Sequence, residues 1–329
     1  MLGATTSLAQ PKQVPPGAVA CVANDCYRSV EDALKVVKDG QTVWIVPGSY
    51  RDGGILRANG VTISAKDVHL FGRAWDGKAA IVIYGDDAVV TGLRCSHIVV
   101  PDGNGACIRA EGRNVTLNRV RFHDAECGIL THDRAGRVVI EDSQFERLGG
   151  FNDEGGQSHP IYVGGVEEFI LRRSHVLSAV GEGHEVKSRA KRTVIENNVI
   201  ASMSESDSRL IDIPNGGEVE IRGNVLQEGM LSVNRDVIAV GLERGRGQGQ
   251  DHERNHIVVE KNLVLIDRPG AYTLIHTLDV IEPVLLDNVI VGGPQSRAVV
   301  GNRWFKDRAA AGIEAFPFLP TAPPSLTPK

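Results

Sequence analysis

Seven short segments of this chain are similar enough to be aligned with one another without gaps. Each alternates apolar with polar residues, has a polar pair near its centre and ends on a further apolar step. The segments are Asn114–Phe122, Arg137–Phe145, Glu168–Val176, Arg192–Ile200, Glu218–Leu226, His256–Val264 and Glu282–Ile290. Their starts lie 23, 31, 24, 26, 38 and 26 residues apart. A unit this short cannot bury its apolar face alone, so neighbouring units must stack into a solenoid.

The residues of the repeat indicate which solenoid forms. Val and Ile dominate, and the LxxLxL spacing of leucine-rich repeats is absent. Asn recurs at one turn of the unit, as Asn198, Asn224, Asn262 and Asn288. In a parallel β-helix each coil lays its strands on those of the next coil, about 4.8 Å away. We therefore predict an all-β fold, a single-stranded right-handed parallel β-helix.

The chain divides into three parts. Residues 1–27 form an extended leader, whose small residues before a Pro-rich stretch are similar to the cleavage end of a signal peptide and predict a secreted or periplasmic protein. Residues 28–300 form the β-helix, which begins with a short helix at Ser29–Asp39 that caps the open end of the stack. Residues 301–329 form a Pro-rich tail that either lies along the stack or is disordered.

Charge and cysteine content exclude several classes of function. A net charge of −5 gives no overall attraction to nucleic acid or to an anionic membrane, and no run of 18 apolar residues predicts a spanning helix. Cys21 and Cys26 are close enough in sequence to pair in an exported protein. We interpret Cys95, Cys107 and Cys127 as buried apolar fillers. No zinc-binding spacing is present, so we assign no metal ligand.

A second strand lies between successive repeat segments, and its alternation identifies an outward face. The outward positions in chain order are Arg109, Leu130, Tyr162, Lys187, Asp212, Ala239 and His276. Two residues further along each strand, the outward positions include His132 and Arg189. The pattern therefore predicts that Tyr162, Lys187 and Asp212 stack on three consecutive coils. A one-residue slip would bury Lys187 and expose Val186, so the register is well determined.

Two long insertions, at residues 147–159 and 241–254, begin or end beside these coils and can form the walls of a groove. We place the candidate site there, on coils 160–212. The catalytic candidates are Lys187, Arg189, Tyr162, His159 and His184. The substrate-binding candidates are Arg109, His132, Glu185, Arg209 and Asp212, with Glu185 expected on the same face as Lys187.

These residue types fit β-elimination on a uronic-acid residue. The reaction needs a base at the carbon acid, a cation at the carboxylate and a proton donor for the departing oxygen. Lys187 can act as the base when its amine is neutral, which Arg189 favours and the neighbouring carboxylates oppose. Arg189 or Arg209 can hold the carboxylate, and Tyr162 or His159 can supply the proton.

The PGSY motif at residues 47–50, followed by the coil repeat, resembles the pectate-lyase-like superfamily of secreted β-helix proteins over residues 28–300. Within it, GHEVKSRAKRTVIENNVI (183–200) resembles the Lys-Ser strand of chondroitinase-B-like and alginate lyases, which implies that Lys187 is the base. The arginine that those enzymes carry on the next coil has no match in LIDIPN (210–215). Their acidic calcium-binding set is also absent.

Two further resemblances imply other reactions. The segment CGILTHDRAGRVVIEDSQF (127–145) resembles the mannuronan C5-epimerase strand, with His132 and Asp133 matching and Leu130 and Thr131 replacing its Asp-Pro. Gly183-His184-Glu185 is similar to the Gly-His-Gly of polygalacturonases, but the paired aspartates for hydrolysis are missing. We rank lyase above epimerase and epimerase above hydrolase.

The remaining expectations concern cofactor and partner. Asp153, Glu154 and Asp207 carry the hard oxygen ligands that Ca²⁺ prefers, so calcium is the one cofactor considered. The expected partner is an acidic polysaccharide or oligosaccharide bound by a monomer. A non-catalytic glycan-binding or adhesin-type β-helix is the alternative. The chain has 8 Phe, 5 Tyr and 3 Trp, few for a surface built of aromatic platforms, which favours an enzyme.

Overall fold

The structure, a computed structural model, describes residues 14–134, 136–151, 157–247, 249–278, 282–295 and 301–323. One helix, α1 (Val30–Val36), and 32 strands are present in these ranges. The strands are β1 (Ala20–Val22), β2 (Asp25–Tyr27), β3 (Thr42–Ile45), β4 (Gly48–Tyr50), β5 (Gly54–Leu56), β6 (Thr62–Phe71), β7 (Ala79–Ile83), β8 (Ala88–Ser96), β9 (Ala106–Ala110), β10 (Val115–Asn118), β11 (Arg121–His123), β12 (Cys127–Thr131), β13 (Arg137–Glu141), β14 (Gln144–Glu146), β15 (Gly150–Phe151), β16 (Gln157–Ser158), β17 (Ile161–Val163), β18 (Glu168–Arg172), β19 (His175–Leu177), β20 (Val186–Ser188), β21 (Arg192–Glu196), β22 (Val199–Ala201), β23 (Ile211–Ile213), β24 (Glu218–Arg222), β25 (Val225–Glu228), β26 (Asp236–Val240), β27 (His256–Glu260), β28 (Leu263–Ile266), β29 (Thr273–Thr277), β30 (Val284–Leu286), β31 (Val289–Val291) and β32 (Arg303–Phe305).

Each repeat segment folds as two strands separated by a bend. We call the strands before the bend pre-turn strands (β10, β13, β18, β21, β24, β27, β30) and those after it post-turn strands (β11, β14, β19, β22, β25, β28, β31). Each strand pairs in parallel with its counterpart on the next coil, within a sheet of 21 strands. The first bend residue adopts a left-handed backbone, as at Arg119 (φ 53°) and Gly223 (φ 65°), which turns the chain sharply between the two strands.

The third strand of each coil belongs to a separate nine-stranded parallel sheet, in the order β5, β7, β9, β12, β17, β20, β23, β26, β29. Apolar side chains from all three strands of a coil fill the interior, including the fully buried Phe122, Phe145 and Phe169. The predicted all-β right-handed parallel β-helix with a short N-terminal capping helix is confirmed.

The recurring asparagines form a buried column at the bend. Asn262 shows the pattern, because its Nδ2 donates both to Ile221 O (2.9 Å) and to Asn288 Oδ1 (2.9 Å). Its Oδ1 accepts from the backbone N and the Nδ2 of Asn224, each at 2.9 Å. We call Asn198, Asn224, Asn262, Asn288 and Asn302 the asparagine ladder. Every rung thus satisfies the polar groups of the next one inside the protein.

The N-terminal end of the stack is covered in two ways. Helix α1 is capped by Ser29 Oγ, which accepts from Asp32 N (3.0 Å), and is shorter than the predicted 29–39. Strands β1 and β2 form an antiparallel hairpin, and β1 also pairs with β3. The end of the segment that we interpreted as an extended leader therefore belongs to the sheet. A Cys21–Cys26 disulfide joins the two hairpin strands.

The C-terminal tail lies along the stack over the described residues, as one of the two predicted outcomes. Its first part extends the solenoid, since β32 pairs in parallel with β31 and Asn302 continues the ladder. Further on, Ile313 and Leu319 pack against an apolar cluster on the outward side of the post-turn strands. Arg308 forms an ion pair with Asp267 (2.6 Å) that fastens this segment.

The cysteines correct one prediction. Cys95 and Cys107 form a disulfide that links β8 to β9, and are not independent apolar fillers. Sequence spacing could not show this, because the two residues meet through the folding of one coil. Cys127 is a free, buried thiol, as predicted, and burial raises its pKa to about 12. No helix in the described part of the chain is long and apolar enough to cross a membrane.

Candidate active site

The candidate site begins with one column of side chains on the outward face of the nine-stranded sheet. Tyr162 is opposite Lys187 in the β17–β20 pair, and Lys187 is opposite Asp212 in the β20–β23 pair. The predicted stacking of these three residues on consecutive coils is confirmed. The flanking positions of the column are apolar, Leu130 before it and Ala239 after it, so polar groups concentrate on these three coils.

Lys187 lies between two carboxylates and an aromatic ring. Its Nζ is 3.8 Å from Asp212 Oδ2 and 3.5 Å from Glu243 Oε1. The same atom lies 5.4 Å from the centroid of the Tyr162 ring, where the negative face of the ring attracts a cation. Only 12% of the side chain is exposed. The amine is thus held in place by these three neighbours.

Arg189 has several of its guanidinium donors engaged. Its Nε donates to Tyr162 Oη (2.9 Å), Nη1 to Asn215 Oδ1 (2.6 Å) and Nη2 to Glu243 Oε2 (2.7 Å). Because Tyr162 Oη is the acceptor in the first bond, its own hydrogen remains free to be donated elsewhere. Arg189 therefore fixes the orientation of the Tyr162 hydroxyl.

His159 and His184 form a second, buried column next to the first. Nδ1 of His159 accepts from His184 N (2.9 Å), and Nδ1 of His184 accepts from Arg209 N (3.2 Å). The two rings are stacked with centroids 5.0 Å apart, and the edge of His159 meets the Tyr162 ring at 5.5 Å. Since both Nδ1 atoms accept hydrogen bonds, we assign the ring protons to Nε2.

The electrostatics of the two histidines agree with this assignment. Burial lowers the pKa of His159 and of His184 well below the usual value, and the positive charge of Lys187 acts in the same direction. Both are therefore neutral near pH 7. His184 Nε2 lies 3.5 Å from Asp212 Oδ2, so its proton points at that carboxylate. His159 is 2% exposed, which makes it a support for Tyr162 rather than a group in contact with solvent.

Asp212 is buried among positive groups at the far end of the column. It lies 3.6 Å from Arg209 Nη1, in addition to its contact with Lys187. Burial raises the pKa of Asp212, while Lys187 and Arg209 lower it in part. Arg209 also reaches Asp236 (3.7 Å), which His276 contacts through Nδ1 at 2.8 Å. The polar network thus continues two coils beyond the predicted site.

The expectation that Glu185 faces the groove is wrong. Its side chain is fully buried, and its Oε1 accepts from Ala179 N (2.7 Å). Strand β20 begins only at Val186, so Glu185 still belongs to the preceding turn, where alternation of side chains does not apply. Burial and the nearby Asp207 raise the pKa of Glu185 well above its usual value. Glu185 thus belongs to the interior and not to a substrate surface.

Arg109 and His132, the two remaining substrate-binding candidates, line an open groove beside the column. The groove has a volume of about 430 Å³ and is bordered by Arg109, Leu130, His132, Tyr162, Arg189 and Gly249. Arg109 is steadied by Glu111, whose Oε1 accepts from its Nε at 3.0 Å. Lys187 lies next to this groove on the following coil, where Glu243 contacts it, rather than on the groove wall.

Glu243 and Asn215 are the contacts that sequence reasoning missed. Glu243 comes from the 241–254 insertion, which we identified as a wall, but one acid in a loop rich in Gly, Arg and Glu resembles ordinary surface charge. Asn215 follows β23 and also contacts Asp251 (3.3 Å) in the same loop. Their roles depend on where the long loop folds, which no local pattern reports.

The calcium candidates give no metal site in the described residues. Asp153 and Glu154 lie outside the described ranges. Asp207 is fully buried and accepts hydrogen bonds from Ser202 (2.7 Å) and Ser232. Within the ranges given above, no group of three or more His, Cys, Asp or Glu side chains is placed to hold a metal ion.

Comparisons with known proteins support the fold. No protein-family model matches the chain, and no curated protein is similar to it in sequence. Among solved structures, the chain is similar to an alginate lyase from Paenibacillus sp. strain FPU-7, with a TM-score of 0.57 and 17% identity. The match covers 84% of this chain and 94% of the other. At this identity the likeness establishes that the chain has the fold of that lyase, a parallel β-helix.

Proposed function

We propose that the protein is an exported polysaccharide lyase that cleaves a uronic-acid-containing polysaccharide by β-elimination. The observation that carries this proposal is the convergence of Tyr162, Lys187 and Arg189 on one outward face. These three groups match the donor, base and carboxylate-binding cation that the reaction needs. The shared fold with an alginate lyase adds support.

In the proposed mechanism Lys187 removes the proton from C5 of the uronate at the cleavage site. The electron pair of the broken C5–H bond forms the C4–C5 double bond, and the C4–O bond to the departing sugar breaks. Tyr162 donates its hydroxyl proton to that oxygen, and Arg189 binds the uronate carboxylate. Proton transfer from the Lys187 ammonium to the Tyr162 phenolate restores both groups for the next cycle.

Glu243 covers the two cationic side chains of the proposed site. Its two carboxylate oxygens contact Lys187 and Arg189, the positions that the substrate needs. A uronate carboxylate carries the same charge and shape, so it can replace Glu243 on Arg189. Displacement of Glu243 would then extend the groove from Tyr162 to Lys187.

The test is incubation with a panel of uronic-acid polysaccharides while the ultraviolet absorbance of the unsaturated product is followed. Lys187→Ala should lower turnover by at least about 10³-fold, since it removes the base, with little change in the thermal midpoint. Lys191→Ala is the matched control, because that lysine is 64% exposed and pairs only with Glu167 (3.5 Å) among the described residues. It should retain full activity.

Other outcomes would assign a different function. New reducing ends without ultraviolet absorbance would indicate hydrolysis. Proton exchange at C5 without cleavage would indicate C5-epimerisation, a second candidate that the position of His132 on the groove wall beside Tyr162 favours. Binding without any turnover would indicate a glycan-binding β-helix.

Export is part of the same proposal and has its own support. The Cys21–Cys26 and Cys95–Cys107 disulfides are typical of proteins from oxidising compartments, such as the periplasm or the exterior of the cell. Cell fractionation tests it, with activity expected in the periplasmic or extracellular fraction.

A further inference from the structure

A second polar column lies on a different outward face, at the beginning of the post-turn strands. His69 is opposite Arg94, Arg94 is opposite Arg121, Arg121 is opposite Gln144, and Gln144 is opposite His175. We call these five residues the arginine strip. Phe122 points inward between them and is buried, so Arg121 points outward. The five side chains therefore follow one line along the solenoid axis.

The arginines of this strip differ from most others on the pre-turn and post-turn strands. Arg94 and Arg121 are exposed, and neither has a carboxylate within 4 Å among the described residues. By contrast, Arg172 and Arg173 pair with Glu141, and Arg192 and Arg222 both pair with Glu220. A chain with a net charge of −5 thus carries a local excess of positive charge here.

Two surface depressions flank Arg121 within this positively charged region. Arg94, Arg121, Gln144 and the ion pair of Arg147 with Glu146 border one of them. Arg119, Arg121, Gln144, His175 and the ion pair of Arg173 with Asp142 border the other. Arg119 bonds to Thr91 Oγ1 (3.4 Å) and adds a third guanidinium without an ion pair in the described residues. The depressions share Arg121 and Gln144, so they adjoin each other at the strip.

The same line of positions changes character on later coils. After His175 it continues with Val199, Val225, Leu263 and Val289. These apolar residues are buried beneath the C-terminal tail. The tail therefore covers the apolar positions of this line and leaves the arginine strip open to solvent. The exposed Arg94 and Arg121 on adjacent coils are complementary to an extended polyanion.

We propose that the arginine strip is a second, non-catalytic binding surface for an acidic polysaccharide. The identity of the polymer rests on the proposed function, since a lyase that acts on polyuronate meets that polyanion at high density. Arg94 and Arg121 stand on adjacent coils, about 4.8 Å apart, so both can contact neighbouring carboxylates of such a chain, and the polar side chains of His69, Gln144 and His175 can contact its hydroxyl groups. Each contact is weak, but several on one polymer add up and keep the enzyme on its substrate.

The direct test is affinity electrophoresis through gels that contain polyuronate, with Arg94→Gln/Arg121→Gln in a Lys187→Ala background so that the polymer stays intact. We expect the double variant to bind polyuronate about threefold to tenfold more weakly than its parent. The matched control is Arg192→Gln/Arg222→Gln in the same background, which removes the same charge from arginines that are ion-paired. The control should bind like the parent.

Three results would overturn the proposal. One is equal loss in the test and control variants, which would mean that only net charge matters. Another is unchanged retention of the double variant. The third is tighter retention by single-stranded nucleic acid than by polyuronate, which would assign a different polymer. A gel with a neutral polysaccharide should retard none of the variants.

A kinetic arm separates this proposal from the proposed function. With Lys187 intact, Arg94→Gln/Arg121→Gln should leave kcat and KM for a short uronate oligosaccharide unchanged. Its KM for the long polymer should rise by about threefold to tenfold. If the unsubstituted protein showed no turnover, the lyase proposal would be refuted. The electrophoresis would still decide whether the arginine strip binds the polymer. An equal change on short and long substrates would refute the strip.

Discussion

The asparagine ladder and the column of Tyr162, Lys187 and Asp212 differ in how their polar groups are satisfied. In the asparagine ladder every rung is the same residue, and each side chain bonds to the neighbouring rungs. In the column of Tyr162, Lys187 and Asp212 each rung is a different residue, and Lys187 contacts both of the others. Each rung also has a partner from outside the column: Arg189 for Tyr162, Glu243 for Lys187, and Arg209 and His184 for Asp212.

The difference teaches how to read polar residues in a repeat protein. A repeated neutral residue satisfies itself within the stack and needs nothing from solvent, so its contribution is to stability. A column of unlike charged and hydroxyl groups cannot satisfy itself fully and depends on partners from loops and neighbouring coils. Such a column can exchange a loop carboxylate for that of a ligand, so its contribution is to function.

Tyr162→Phe should give the largest effect on turnover, and it should leave the asparagine ladder unchanged. Loss of the proton donor should lower kcat by about 10²- to 10⁴-fold. The free energy of unfolding should change by less than about 1 kcal/mol, because the lost hydroxyl makes one bond, to Arg189. Both are measured by steady-state kinetics and urea unfolding. Tyr50→Phe, which removes a hydroxyl bonded to Val46 O, is the control and should keep its activity.

If Tyr162→Phe kept full kcat, the assignment of Tyr162 as proton donor would be wrong. The neighbouring His159 would not replace it as donor without a rearrangement, because that ring is buried and neutral.

Asn262→Ala should give the reverse pattern. The substitution removes the acceptor of Asn224 N and takes one hydrogen bond each from Asn224 Nδ2, Asn288 Oδ1 and Ile221 O. We expect the free energy of unfolding to fall by about 2–4 kcal/mol, at roughly 1–3 kcal/mol for each unsatisfied group with partial relaxation, while kcat of the folded fraction stays the same.

Asn234→Ala is the control for the ladder, since Asn234 makes one turn bond, to Asp236 N at 3.3 Å. Its effect on unfolding should stay below about 1 kcal/mol. Equal destabilisation by the two substitutions would contradict the special role of the ladder.

Glu228 is a buried carboxyl group outside the asparagine ladder. It shows how burial of an ionisable group, in place of a neutral amide, lowers the free energy of unfolding. Burial, with Asp207 close by, raises the pKa of Glu228 to about 8. Between the unfolded value of 4.5 and about 8 the folded protein holds one more proton than the unfolded chain. Stability therefore falls as the pH rises through this window.

Glu228→Gln should remove that part of the pH dependence. At pH 8 we expect the free energy of unfolding to rise by about 1 kcal/mol. This gain is smaller than the free energy that corresponds to the pKa shift, because the buried amide of Gln also loses its hydrogen bonds to water. Thermal unfolding from pH 5 to 9 measures it. A variant that loses stability in parallel with the parent over this range would show that Glu228 is not the responsible group.

Local patterns predicted the parts of the site that lie within strands. Alternation around Ile161, Val186 and Ile211 set the register of Tyr162, Lys187 and Asp212, because one slip would have placed a lysine in the core. The same rule failed one residue earlier, at Glu185, because the strand had not yet begun there. Alternation is reliable only where the backbone is extended.

The sequence by itself determined the solenoid, its asparagine ladder and the column of Tyr162, Lys187 and Asp212, because each follows from repetition or from a period of two. Only the tertiary structure decided that Glu243 contacts Lys187 and Arg189 and that Cys95 pairs with Cys107. It also decided that the tail covers the apolar residues of the later post-turn strands and leaves the arginine strip exposed. These contacts join residues that no repeat relates to each other. Their formation depends on the paths of long loops and of the tail, and those paths are fixed by packing against the finished stack.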